Sequence, residues 1–361
     1  MVLLDVVVVG AGMAGLVCAQ RLQQAGYQIS VLEKSRGLGG RMATRRVDGV
    51  PIDHGARFLH PQGVLLARLK QQLVQQELLI EWRPHSFYLD RTGQLIPEPY
   101  VSSYDVAPTG MSVVGKALGA GLSIHRQQRV VAIAPATSPH WQITAERTDN
   151  GATLQYAAKA LVLAIPAPQI TPLLQPLLSQ PQVNAMARAI AAVEYDSCVT
   201  VMARYAEQMP APLPCQSTEP WMVEGYPNTP FFWVGLDSSK RQVPSLHVVL
   251  HSSAAFARQW IDSPHLQDAG ATLLAQAGKL ITPWLAKPMH WQIHRWRYAL
   301  VKEPCAQAML SVSTPLPLVA CGDWCGDQQI DTAMESGWLA AIGLNSLLGG
   351  KPLADTAGAI L

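Results

Sequence analysis

The sequence predicts an α/β fold in two lobes, and three observations carry that expectation. Near the N-terminus an apolar run, Val6 to Val9, leads through Gly10-Ala11-Gly12-Met13-Ala14-Gly15 into an amphipathic segment with Leu16, Ala19 and Leu22. A second apolar run, Ile29 to Leu32, follows and ends in Glu33. Near the C-terminus Leu318-Val319-Ala320-Cys321 runs into Gly322-Asp323, with a helix-like stretch through Leu347 behind it. Between these two strand–glycine–helix units lie short alternating runs suited to a mixed or antiparallel sheet with helices, an α+β second lobe.

The first unit reads as strand, tight glycine turn, helix, strand and acid, which is the dinucleotide-binding unit of a Rossmann-type lobe. Gly10 allows the turn, Gly12 lets backbone approach a pyrophosphate, and Gly15 lets the helix sit close to the strand. Met13 and Ala14 open that helix, whose N-terminus offers free N–H groups and partial positive charge to phosphates. Glu33 lies 18 residues after Gly15, where a carboxylate accepts hydrogen bonds from a ribose. A lone glycine motif is an ordinary turn; strand, helix and acid in the expected order make it a nucleotide site.

The unit alone does not separate NAD from FAD. The next block, Lys34-Ser35-Arg36-Gly37-Leu38-Gly39-Gly40-Arg41-Met42, brings two adjacent glycines and a forked cation to a second diphosphate face. It resembles the FAD-binding stretch of the flavin amine oxidase superfamily. The resemblance implies noncovalently held FAD and a p-hydroxybenzoate hydroxylase- or amine oxidase-like architecture. Its expected division is residues 1–65, 105–170 and 315–361 for the FAD lobe, and 66–104 and 171–314 for the substrate lobe.

The totals agree. At 361 residues the chain suits two lobes, and 49% hydrophobic with 14% charged residues supplies a large core. A net charge of +2 argues against a nucleic-acid surface. The six cysteines, Cys18, Cys198, Cys215, Cys305, Cys321 and Cys325, have neither disulfide-scaffold density nor paired metal spacing, so they read as reduced thiols with no metal site. No basic leader precedes the first strand and no apolar run has bilayer length, so a cytoplasmic location without a membrane span is expected.

Along the chain, Ile52-Asp53-His54-Gly55-Ala56-Arg57-Phe58 reads as a strand turning beside a flavin ring, with Gly55 and Ala56 small where the ring packs. Pro61 to Leu79 reads as a helix with Val64, Leu65, Leu69, Leu73 and Val74 on one face. Trp82 to Tyr104 reads as irregular, with a turn at Thr92-Gly93. Val106 to Ser112 leads into a helix through Ala117, and Leu122 to His125 and Val130 to Ile133 are strands. Trp141 to Ala145 and Leu154 to Ala157 suggest a hairpin with a type I′ turn at Asn150-Gly151. Leu161 to Ile165, wholly apolar, suits a central parallel strand. The proline-rich stretch Gln169 to Pro181 reads as the crossing between lobes. Beyond it, Val193 to Tyr205, Phe231 to Leu236, Leu246 to His251 and Pro288 to Ala299 read as strands, Pro210 to Pro220 as loop, and Ala254 to Trp260 and Leu266 to Leu280 as helices.

Gly322-Asp323 and Thr332-Ala333-Met334-Glu335-Ser336-Gly337 resemble the second half of the superfamily's cofactor site. The resemblance implies that Asp323 helps hold the FAD chain, that Glu335 and Ser336 open a helix aimed at the flavin pyrimidine, and that backbone at Arg129-Val130 meets adenine. Lys34, Gly40, Arg41, Met42, Gly55, Ala56, Arg57 and Phe58 complete the implied cofactor set. A helix N-terminus stabilises negative charge on a reduced flavin.

Ala164-Ile165-Pro166-Ala167-Pro168-Gln169, His294-Arg295-Trp296-Arg297-Tyr298-Ala299 and Cys321-Gly322-Asp323-Trp324-Cys325 resemble the renalase branch of the superfamily and its bacterial relatives. That resemblance implies an FAD oxidase of 2- or 6-dihydro NAD(P)H isomers, with O2 as acceptor and hydrogen peroxide and NAD(P)+ as products. Hydride transfer from a dihydropyridine removes no proton, so orientation and exclusion of water suffice. Trp296 and His251 are the leading pocket residues, with Tyr226 and His60 as further candidates. Arg57-Phe58-Leu59-His60 and Ile330 to Gly337 depart from the branch's pattern beside the flavin. Two alternatives stand: a flavin amine oxidase or dehydrogenase acting on small amines, and an FAD-binding redox sensor or assembly factor without turnover.

Overall fold

The computed structural model describes residues 2–90, 92–207, 219–226, 228–241, 243, 245–327, 329–353 and 360–361. Cys215 and all of the expected 210–220 loop except Glu219 and Pro220 lie outside the described residues.

Apolar residues on consecutive positions of Val6 to Val9 require a strand covered on both faces. Leu3–Val9 is that strand, parallel to Ile29–Glu33 on one side and to Thr153–Leu163 on the other. Val6 and Val8 enter one core and Val7 and Val9 the opposite one. The eight-stranded sheet continues outward through Ile124–Arg126 at one edge and Trp141–Arg147 and Gln128–Pro135 at the other. Leu318–Ala320 joins it in parallel beside Leu161 to Leu163, so both ends of the chain meet in one sheet. Helices Met13–Gln24, Val64–Gln75 and Ile330–Leu347 cover one face, and Ala167–Leu174 and Pro181–Ala191 cover the other.

The second sheet has seven strands in the order His290–Glu303, Glu194–Tyr205, Leu246–Ser252, Phe231–Leu236, Trp221–Glu224, His85–Leu89, Leu95–Pro97. Trp221–Glu224 and His85–Leu89 pair in parallel and the other described neighbours antiparallel, which gives the expected mixed sheet. Helices Ala254–Trp260 and Leu266–Leu280 bury Phe256, Leu273 and Leu274 against it.

Several elements differ from the sequence reading. Trp82 to Tyr104 is not irregular: it holds His85–Leu89, Leu95–Pro97 and, at its end, Tyr104–Val106. The helix within Pro61 to Leu79 spans Val64–Gln75 and buries Leu66, Leu69 and Leu73, while Val64 and Val74 face solvent. The turn near Asn150-Gly151 is not type I′, because Gly151 alone has positive φ (+74°). The Asn150 side chain instead accepts the Ala152 N–H at 3.0 Å, an Asx turn that replaces a left-handed Asn. The stretch Gln169 to Pro181 is helical rather than a linker. Leu173, Leu174, Leu177, Val183, Met186 and Ile190 pack on the first sheet, so the chain enters the second sheet only at Glu194.

Candidate functional site

A cavity of about 1880 Å³ runs from the N-terminal glycine turn to the face of the second sheet. Ordinary small-molecule pockets occupy about 300–1,000 Å³, so this one has room for a dinucleotide and a second molecule.

The glycine turn is built by close approach. A Cβ on Gly15 would lie 2.0 Å from the Gly10 carbonyl oxygen, so the helix reaches the strand only with glycine there. Gly12 caps the helix with extended backbone, and a Cβ placed on it meets nothing within 4 Å, which leaves its cavity side open. The Gly39 N–H donates to the Ala11 carbonyl at 2.8 Å and thereby joins the second glycine block to the first. Gly10, Gly12, Met13, Ala14, Glu33, Lys34, Gly40, Arg41, Met42 and Val130 all line the cavity. Gly15 does not; it acts from behind, through helix packing.

Glu33 is buried and does more than face a ribose. Its two carboxylate oxygens accept the Ala11 and Ser35 N–H groups, each at 2.7 Å. The acid therefore ties the glycine turn to the chain beyond the second strand.

Arg41 joins the lobes. One guanidinium nitrogen donates to Asp323 at 2.5 Å, and another donates to the Tyr298 and Ala299 carbonyls at 3.2 and 3.3 Å. Those carbonyls lie on the outermost strand of the second sheet. The Gly322 N–H donates to Ser336 Oγ at 3.1 Å, so Ser336 positions the Gly322-Asp323 strap without lining the cavity.

The last helix begins at Ile330, two residues before the expected start. Gln329, Ile330 and Ala333 consequently face the cavity, while Glu335 is exposed and outside it. Phe58 also lies outside the lining and packs on Tyr104 with ring planes tilted and centroids 4.0 Å apart. His60 is exposed beside Tyr104, at 5.5 Å, and does not line the cavity. Tyr226 lies one residue past Gly225, which lines the cavity as Tyr226 does not.

Gly55, Ala56, Arg57, Trp296 and His251 meet at the second-sheet end. Trp296 is fixed there: its indole N–H donates to the His54 carbonyl at 2.9 Å, and its ring stacks on His54 at 5.4 Å and 27°. His294 meets Trp296 edge-on at 4.4 Å. Arg57 is held among rings, 4.9 Å from Phe58, 5.3 Å from Phe232 and 5.5 Å from Trp233, with Glu224 at 3.9 Å. His54, His294, Phe232 and Glu224 were missed as site residues. His54 stands beside Gly55 in a segment the sequence marks as flanking the ring, and that adjacency was the available signal.

The histidines of this end are neutral. Burial, with His294 and Arg45 alongside, pushes His54 down to about 3. Burial and Arg45 push His294 to about 4. Burial, then Arg57 and Lys240, hold His251 well below its ordinary value. The unfolded chain binds protons at these histidines as pH falls below about 6.5, and the folded chain does so only near 4 or lower. Stability is therefore expected to fall as pH drops from 6.5 toward 4. A thermal midpoint lower at pH 5 than at pH 7 checks this, and an equal or higher one contradicts it.

His251 Nδ1 lies 2.9 Å from Thr200 Oγ1. The Thr200 hydroxyl has one other described neighbour, Cys198 Sγ at 3.8 Å, a weak acceptor. Nε2 is buried and has no partner among the described residues. His251 lines the cavity with Nε2 buried in its wall.

Among the described residues eleven cations line the cavity, among them Arg36, Arg45, Arg126, Arg129 and Arg297, against three acids, Glu33, Glu224 and Asp323. Among the described residues no group of His, Cys, Asp and Glu could hold a metal, and no helix is long and apolar enough to cross a membrane.

Residues 8–72 match the NAD(P)-binding Rossmann-like domain model, and residues 85–344 match the flavin containing amine oxidoreductase model. A putative flavin-containing monoamine oxidase of Mycobacterium tuberculosis is 50% identical over 64 residues, 18% of this chain and 14% of its own length. Putrescine oxidase of Kocuria rosea is 42% identical over 69 residues, 19% of this chain and 14% of its own. The chain thus spans about a seventh of the length of these curated relatives. Among solved structures, putrescine oxidase with putrescine bound superposes with a TM-score of 0.67 at 15% identity, covering 96% of this chain and 99% of that one. Cyclohexylamine oxidase of Brevibacterium oxydans gives 0.69 at 14% identity, with 96% and 99% covered. The open glycine cradle, the buried acid and the Arg41–Asp323 clasp fit the flavin dinucleotide, and with a family match over most of its length the chain belongs to the flavin containing amine oxidoreductases, with FAD as cofactor.

Proposed function

We propose that this chain is an oxidase of misreduced nicotinamide dinucleotides, taking hydride from 2- or 6-dihydro NAD(P)H and passing two electrons to O2 to give NAD(P)+ and hydrogen peroxide. Bound FAD, held noncovalently, supplies the hydride acceptor and the reaction with oxygen. One observation carries the choice of substrate: the reacting end of the cavity presents Arg57, neutral histidines and aromatic faces, and its nearest acid, Glu224, sits beside Arg57. A dihydropyridine ring is uncharged and its dinucleotide carries phosphates, so it meets attraction in a cavity rich in arginine. A polyamine carries several positive charges and meets the opposite field.

The residues act by position. Trp296 stacks the ring, and its N–H is spent on His54, which fixes its plane. His251, which lines the ring pocket, is the polar side chain assigned to the carboxamide, a group that an amine lacks. No proton leaves the substrate, which agrees with histidines that stay neutral across the ordinary pH range.

The amine reading draws on the names of the relatives, and Glu224 is the residue that favours it. Among the described residues the lysines lining the cavity are Lys34 and Lys116. Lys240 is buried against Asp237 and the Arg57 carbonyl, behind the pocket wall.

Trp296→Ala is expected to retain FAD and slow flavin reduction by about 10- to 100-fold, the range expected from lost orientation. Arg57→Gln is expected to raise the KM for the dinucleotide with little change for a neutral amine. Stopped-flow reduction of the yellow protein measures both. Unchanged rates in Trp296→Ala remove that residue from the site, and a lower KM in Arg57→Gln overturns the electrostatic choice of substrate.

A further inference from the structure

The mechanism above uses no thiol, yet two cysteines lie on adjoining stretches of chain where the lobes meet. Cys305 follows the outermost strand of the second sheet, His290–Glu303, and Cys325 ends the Gly322-Asp323 strap of the first lobe. The Cys305 N–H donates to the Trp324 carbonyl at 2.8 Å. With standard backbone dimensions that bond holds the two cysteine Cα atoms within about 6.5 Å, inside the roughly 4.4–6.8 Å that a disulfide spans. Both side chains pack on the same apolar cluster. Cys305 is half-buried and reachable, whereas Cys325 is buried. Burial pushes the Cys325 thiol up to about 12, with Cys305 among the charges that raise it further. Cys325 therefore rests as a thiol, and Cys305 is the sulfur a solute can reach.

We infer that Cys305 and Cys325 form a peroxide-closed dithiol that clamps the Gly322–Gly326 strap to the second lobe. The Cys305 thiolate attacks hydrogen peroxide; the O–O bond breaks, an S–O bond forms, and hydroxide leaves with Cys305 as sulfenic acid. The Cys325 sulfur then displaces that oxygen as water and the S–S bond forms. Two thiols lose two electrons, peroxide gains them, and two waters result. Asp323, which clasps Arg41, lies two residues from Cys325, so closure restrains the strap across which the cofactor is held. The inference rests on the proposed oxidase only for the natural source of peroxide.

The test supplies peroxide from outside, so it succeeds or fails independently of the substrate reading. Reduced holoprotein is treated with one equivalent of hydrogen peroxide, alkylated, digested and examined by mass spectrometry. The expected product joins the Cys305 and Cys325 peptides, is absent in Cys305→Ser, persists in Cys321→Ser and reverts with dithiothreitol. Flavin loss on dilution should be at least threefold slower in the oxidised form. A Cys321–Cys325 link, Cys305 found only as sulfinic acid, or no modification overturns the pair. An unchanged rate of flavin loss in a fully linked sample overturns the clamp.

Discussion

Gly15→Ala is expected to give a protein that no longer retains FAD and is less stable without it. The new Cβ would lie 2.0 Å from the Gly10 carbonyl oxygen and 3.1 Å from the Ala164 side chain. No contact between carbon and carbonyl oxygen survives at 2.0 Å, so the helix must move off the strand and carry its N–H groups away from the pyrophosphate. Gly12→Ala separates the two effects. Its Cβ meets nothing within 4 Å in the protein, so stability without FAD should be unchanged while flavin retention falls, because the nucleotide needs that space. Flavin absorbance per chain and the melting midpoint of the flavin-free form measure both variants. Full flavin content in Gly15→Ala contradicts the close-packed turn.

Asp237→Ala is expected to cost about 3–5 kcal/mol of stability, the penalty for stranding buried charge. Asp237 and Asp53 are fully buried with Lys240 and Arg241. Lys240 Nζ donates to Asp237 at 2.8 Å and to the Arg57 carbonyl at 2.6 Å; Arg241 donates to Asp237 at 2.6 Å and to Asp53 at 2.7 Å. Burial pushes Asp237 up, but Lys240 and Arg241 outweigh it and hold the carboxyl low. Removing one acid leaves two cations against Asp53 alone. Because Asp53 precedes His54 and Lys240 holds the Arg57 carbonyl, the quartet also fixes both edges of the ring pocket. Urea denaturation measures the loss, and a change below about 1 kcal/mol would mean that the quartet relaxes or admits water.

The strands and turns that position the cofactor were legible because each depends on local pattern. Val6 to Val9, Phe231 to Leu236, Ala254 to Trp260 and Leu266 to Leu280 announce themselves by apolar period, and Gly10 to Gly15 by turn chemistry. Trp82 to Tyr104 was obscured because its strands are short and His85–Leu89, besides its local partner Leu95–Pro97, takes a neighbour distant in sequence. His85–Leu89 pairs with Trp221–Glu224, a partner that no local window contains. Gln169 to Pro181 misled because Pro176 and Pro181 fall in the first turns of short helices, where proline is tolerated, and because Ala167–Leu174 accommodates Pro172 in its interior. The pocket was half legible. Trp296 and His251 sit on strands whose apolar pattern was readable, whereas His54 and Glu224 acquire meaning only when a loop of the first lobe meets the second sheet. His60 and Glu335 are exposed and stand outside the cavity lining, which local pattern alone does not reveal.

The most direct measurement of the substrate assignment is anaerobic mixing of the yellow holoprotein with single reductants. Isomeric 2- or 6-dihydro NAD(P)H should bleach the flavin rapidly, and putrescine or another simple amine slowly or not at all. Rapid bleaching by an amine together with indifference to the dihydronicotinamides would contradict the assignment and return Glu224 to the centre of the pocket.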